Sequence, residues 1–118
     1  MILAFALPRI VEAMTDARVR AFHAAEGTWL KSGGALCDLT VDLSVAAQQD
    51  CPPVSHYRIA IREAVWLRRI EIPAGELCEV GKVVALLSTE EHEPLVPAVR
   101  GIRHMVAGII LSTEEGLW

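Results

Sequence analysis

The feature that most constrains this chain is a self-similarity at an offset of 48 residues. Residues 18–40 form the first copy and residues 66–88 the second. Gly27 matches Gly75, and Gly33 matches Gly81. Val19 matches Leu67, Phe22 matches Ile70, Leu36 matches Val84, and Leu39 matches Leu87. Each copy reads as a strand, a glycine turn, a short extended stretch, a second glycine turn and a strand. Short apolar and β-branched runs bounded by glycine signal strands, and glycine supplies the positive φ that a tight reversal demands. Neither copy can bury a core alone. Packed face to face, the two would form a small sandwich with approximate two-fold symmetry. A phosphate-cradling role for the glycines would need a following helix, and none is indicated.

The remaining segments fit the same all-β class. Met1-Ile2-Leu3-Ala4-Phe5-Ala6-Leu7 is apolar, has no preceding positive charge and runs into Pro8-Arg9. It is expected to be a first strand rather than a signal peptide. Between the copies, residues 41–47 look like a hairpin or strand continuation, and Gln48-Gln49-Asp50-Cys51-Pro52-Pro53 reads as a loop, because proline fixes φ and removes a donor. Tyr57-Arg58-Ile59-Ala60-Ile61-Arg62 alternates strictly, which predicts a strand with one wet face. After the linker Glu91-His92-Glu93-Pro94, the apolar residues Val99, Ile102, Val106 and Ile109 recur at helical spacing. Residues 91–118 are therefore expected to be a C-terminal tail holding a short amphipathic helix, weakened by Gly108. Such a tail either covers part of the sandwich as a helix or strand, or docks on a partner.

Composition narrows the function classes. The 118 residues suffice for one domain, taken as residues 1–90, plus the tail. Apolar residues make up 53%, which argues against disorder. A net charge of −4 without a Lys/Arg cluster gives no footprint for nucleic acid. No run approaches the ~18 apolar residues of a membrane span. Cys37, Cys51 and Cys78 are odd in number and widely spaced, a pattern that suits a reducing cytoplasm.

Several motifs in order resemble the lipoyl/biotinyl attachment family, over residues 7–89. Leu7-Pro8-Arg9-Ile10 with Ala13-Met14-Thr15 is similar to the opening strand of the lipoyl domain of 2-oxo acid dehydrogenase acyltransferase subunits. Glu26-Gly27-Thr28-Trp29-Leu30-Lys31-Ser32-Gly33 resembles its first glycine turn, and Ala74-Gly75-Glu76-Leu77-Cys78-Glu79-Val80-Gly81 its second. The resemblance implies a barrel-sandwich hybrid with quasi-two-fold symmetry. In that family a hairpin lysine carries the cofactor in amide linkage. Counting from Gly27, that position here is Leu43, within Asp42-Leu43-Ser44. Leucine has no nucleophilic nitrogen, so no amide can form there. Lys31 and Lys82 lie in the glycine turns. Residues 96–107 are faintly similar to the opening of the acyltransferase catalytic domain, whose His-x-x-x-Asp signature this chain lacks.

No other constellation stands out. His23, His56, His92 and His104 are scattered, with no metal-ligand spacing, so no metal is expected. Cys51, beside Pro52-Pro53, is the least implausible alternative carrier of an acyl or redox group, since a reactive thiol needs a partner that lowers its pKa and His56 is near in sequence. Asp38 and Asp42 share a strand face and read as solvated charges. Trp29 and Trp66 are expected to cover the ends of the core. No nucleophile, base and orienting group can be assembled. The expectation is thus a non-catalytic, unmodified lipoyl-like module without cofactor. It would act through protein contacts, conceivably with 2-oxo acid dehydrogenase subunits, and its open sheet edges leave room for a homo-oligomer.

Overall fold

A computed structural model describes residues 1–43 and 54–110. The fold is all-β, with no helix among the described residues. The strands are β1 (Ile2–Ala6), β2 (Asp16–Phe22), β3 (Trp29–Leu30), β4 (Ala35–Asp42), β5 (Val54–Ile61), β6 (Val65–Ile70), β7 (Leu77–Glu79), β8 (Val83–Ser88), β9 (Arg100–Gly101) and β10 (His104–Ile109). They form two five-stranded sheets. The first runs β3-β6-β8-β1-β9 and the second β10-β5-β4-β2-β7. Leu3, Phe5, Leu67, Leu87, Val19, Leu36, Leu39 and Ile59 are fully buried in the one core between them. Alternation along each strand sends every second side chain there.

The two sheet orders coincide when β3 exchanges with β7, β6 with β2, β8 with β4, β1 with β5 and β9 with β10. Local geometry follows the same exchange. The β2–β4 ladder shifts register between Val19 and Ala21, and the β6–β8 ladder between Leu67 and Arg69. The β4–β5 ladder skips Leu36 and the β1–β8 ladder skips Val84. A bulge of this kind lets two neighbouring side chains turn inward. Leu36 with Cys37, and Val84 with Ala85, are accordingly buried together.

The glycine turns tie the halves to each other. Gly27 has φ 90° and Gly75 φ 97°, in the left-handed region that side chains with a Cβ avoid. That geometry aims the Gly27 N–H at the Leu67 carbonyl and the Gly75 N–H at the Val19 carbonyl, both at 2.6 Å. Each turn is thus pinned to the strand that opens the other copy.

The C-terminal segment departs from the expected helix. Arg100–Gly101 pairs parallel with β1, and His104–Ile109 pairs antiparallel with β5 from Ile61 to His56. Of the four residues at helical spacing only Ile102 is buried. The spacing was coincidental: glycines at 101 and 108 and several β-branched residues favour extended chain, and the open edge of β5 offered hydrogen-bond partners that an isolated helix would not need. Glu63, in the turn between β5 and β6, holds the segment in place. Its carboxylate receives two hydrogen bonds from Arg100, each 2.7 Å, and one from the Arg103 N–H at 2.9 Å.

Candidate functional site

The outer face of the second sheet carries a hydrogen-bonded polar cluster centred on a buried carboxylate. Register explains its assembly. Asp38 on β4 lies directly opposite Arg58 on β5, and Thr40 opposite His56. On the other flank Arg18 of β2 opposes Thr40, and Ala21 opposes Asp38. Alternation turns Asp38, Thr40 and Asp42 away from a core built by Cys37, Leu39 and Val41.

Asp38 is the centre. It is only 5% exposed despite its place on the outer face. Arg58 grips it bidentately, Nε to Oδ1 at 2.9 Å and Nη2 to Oδ2 at 3.1 Å. His23, just past β2, adds a contact from Nε2 to Oδ1 at 2.9 Å. Burial works to raise the Asp38 carboxyl, but hydrogen bonds from Arg58 and His23 and their charge hold it below its ordinary value. One row along, Thr40 Oγ1 and His56 Nδ1 are 3.0 Å apart. Among the described residues no buried side-chain polar atom is left without a hydrogen bond. The expectation that Asp38 is a solvated charge is therefore corrected: Arg58 on the neighbouring β5 and His23 just past β2 both bond to it. Asp42 is exposed.

The chemistry available here is recognition. Bidentate Arg–carboxylate pairs are planar and geometrically specific. Asp38 uses two of the five Arg58 donors, and the Arg58 side chain is 44% exposed. Arg18 and Arg20 lie exposed on the same face.

The carrier position lies at one end of this sheet. Leu43 follows β4 and is 8% exposed, packed into the common core. Ser44 and Cys51 lie outside the described residues. Cys37 and Cys78 are buried, and burial pushes the Cys37 thiol up to about 12, with the neighbouring Asp38 charge adding to the effect. Burial likewise raises Cys78. Neither sulfur has the thiolate character that reactivity requires.

Trp29 and Trp66 do not cap the core. They are register neighbours on β3 and β6, their rings 5.1 Å apart on the outer face of the first sheet. Sequence reasoning passed over His23, Arg58 and Glu63. The alternation in residues 57–62 did place Arg58 on a wet face, and that was the usable signal. Among the described residues no group of His, Cys, Asp and Glu is arranged to hold a metal, and no helix is long and apolar enough to cross a membrane. Comparison with family models, with curated proteins and with solved structures returns no match.

Proposed function

We propose that this chain is a non-catalytic, lipoyl-like interaction module that carries no group at the family's lysine position. The observation behind this reading is the contrast at the end of β4. Leu43 is buried in the core where a carrier lysine would have to project. The sheet that leads to it instead presents an ordered polar face of His23, Asp38, Arg58, Thr40 and His56. A carrier arm must move, whereas a hydrogen-bonded surface held in one geometry loses little entropy on docking. The exchange relation between the sheets, down to the bulges and glycine turns, supports the resemblance to lipoyl domains.

The face carries Arg18, Arg20 and Arg58 against Asp38 and Asp42, so it suits a protein partner with an acidic surface. Subunits of 2-oxo acid dehydrogenase complexes are the partners that the resemblance suggests. The test is tagged co-purification from the native host, comparing the natural chain with Arg58→Ala. Recovery of a reproducible complex that Arg58→Ala releases supports the module. Intact mass with and without thiol reductant is the companion measurement. An added mass on the chain overturns the unmodified reading, and one removed by reductant moves the assignment to a thiol carrier such as Cys51.

A further inference from the structure

Three arginines meet one carboxylate where the C-terminal strands join the sandwich. Arg62 and Glu63 stand in the turn between β5 and β6. Arg100 opens β9, and Arg103 lies between β9 and β10. The Arg62 N–H donates to the Arg103 carbonyl at 2.8 Å, which fixes the two residues side by side. The Glu63 side chain is only 11% exposed, and Arg100 occupies both of its oxygens, each at 2.7 Å. The Arg103 N–H takes a further place on Oε2 at 2.9 Å. The Arg103 guanidinium is left with a weaker contact. Its Nε lies 3.5 Å from the same oxygen, beyond ordinary hydrogen-bond length, and its side chain is 74% exposed. The Arg62 side chain has no ionic partner among the described residues. Three arginines against one carboxylate leave two positive charges over, in a chain whose net charge is −4.

That excess borders a concave surface. Arg62 and Arg103, with Ile102 and His104, line a groove of about 560 Å³, within the size range of small-ligand sites. The His104 ring is held in place. Its Nδ1 is 3.1 Å from the Ile102 carbonyl, an acceptor, so Nδ1 is the donor. The same ring packs edge-to-face on Phe5 at 5.1 Å.

We propose that this groove binds a phosphate monoester, with Arg62 and Arg103 as its two anchors. Such a group carries about −1.5 to −2 charge at neutral pH and has three acceptor oxygens. It matches both the local excess charge and the pair of guanidinium forks. A carboxylate matches less well: at Glu63 the single fork of Arg100 engages both oxygens. Guanidinium donors meet phosphate oxygens in parallel pairs, which a lysine cannot do. The exposure of the anchors makes the binding sensitive to salt.

Titration of the full chain with inorganic phosphate and with phenyl phosphate tests the site, followed by amide and arginine Nε–H chemical shifts. Saturable shifts are expected at Arg62, Arg103 and His104. Arg62→Gln and Arg103→Gln should each weaken binding about 10-fold, while Arg69→Gln on the first sheet leaves it unchanged. Acetate, with a single charge, should bind about 10-fold more weakly than phosphate. Far-ultraviolet circular dichroism verifies that the variants fold. If one does not, the shift map of the natural chain decides. Flotation with phosphatidic acid vesicles separates the two sources of the group. Vesicle binding that both variants lose assigns a lipid headgroup, and phenyl phosphate binding without vesicle binding assigns a soluble ester. Absence of saturable shifts, shifts spread evenly over all arginines, or an affinity indifferent to both anchor substitutions overturns the proposal. Acetate binding as tightly as phosphate overturns it as well.

Discussion

The outer faces of the two sheets are equivalent in topology and opposite in character. On the first sheet, Ile2 lies opposite Ser88. On the second, the same place in the pattern is held by His56 opposite Thr40. Ile2 is 1% exposed and Ser88 fully buried, because the chain after β8 crosses over them. Arg68 fastens that crossing, donating to Ser88 Oγ at 3.2 Å and to the Glu93 carbonyl at 2.7 Å. The Val99 N–H completes it by donating to the Ile2 carbonyl at 2.9 Å. His56 and Thr40 instead hydrogen-bond each other on a partly buried polar face. One backbone plan therefore yields a face covered by chain over Ile2 and Ser88 and, among the described residues, a face that keeps a hydrogen-bonded polar surface. Covering a face with chain makes it part of the core, and an uncovered face must satisfy its polar groups laterally.

Substitutions at matched positions can break this comparison. The largest effect is expected for Ile2→Ala, which should cost about 2–4 kcal/mol by leaving a cavity under the crossing segment. Denaturant unfolding measures it, and a loss below about 1 kcal/mol would show that the first face is not sealed in solution. Asp38→Asn comes next, at about 1–2 kcal/mol, since Arg58 and His23 lose a charged acceptor. Because the Asp38 carboxyl is held below its ordinary value, its stabilising contribution is full above the unfolded carboxylate range and is lost as pH falls through the lowered value. The natural chain should therefore lose stability toward acid more steeply than Asp38→Asn, and parallel pH profiles would contradict the assignment.

Glu63 sharpens the comparison through the C-terminal strands. The Arg100 guanidinium, opposed by partial burial and helped by the Arg103 N–H, brings its carboxyl down to about 2. Its contribution is present above the ordinary carboxylate pKa and disappears as pH falls toward 2. Amide exchange in β9 and β10 should accelerate over that interval before the core strands respond, and Glu63→Gln should show the acceleration already at neutral pH. Uniform exchange across the sheets would mean that Glu63 does not hold the segment. The smallest effect is expected for His56→Ala, the counterpart of Ile2→Ala. A change of about 0.5 kcal/mol is expected by the same unfolding measurement, and a loss as large as at Ile2 would erase the distinction between the faces.

Much of this architecture is legible along the chain because its signals are local. Gly27, Gly33, Gly75 and Gly81 mark four turns by a conformational need that belongs to the residue itself, and all four have positive φ. The alternation in residues 57–62 marks β5, and the apolar opening marks β1. The tail shows the opposite case. Val99, Ile102, Val106 and Ile109 satisfy a helical spacing, yet the segment is strand, because the vacant edge of β5 is a partner that no short window contains. Asp38 and Arg58 are 20 residues apart, and only the β4–β5 register sets them opposite each other.

What the sequence determines by itself is the all-β class, the turn positions and the absence of an amide-forming lysine at position 43, since these follow from backbone conformational limits and side-chain chemistry. The tertiary structure alone decides that chain covers Ile2 and Ser88 on one outer face, that His23 and Arg58 converge on Asp38, and that β10 ends the second sheet among the described residues. Those depend on strand register and on the path of the chain after β8, and such long-range pairings are set by the free energy of the whole packed body rather than by any local stretch of residues.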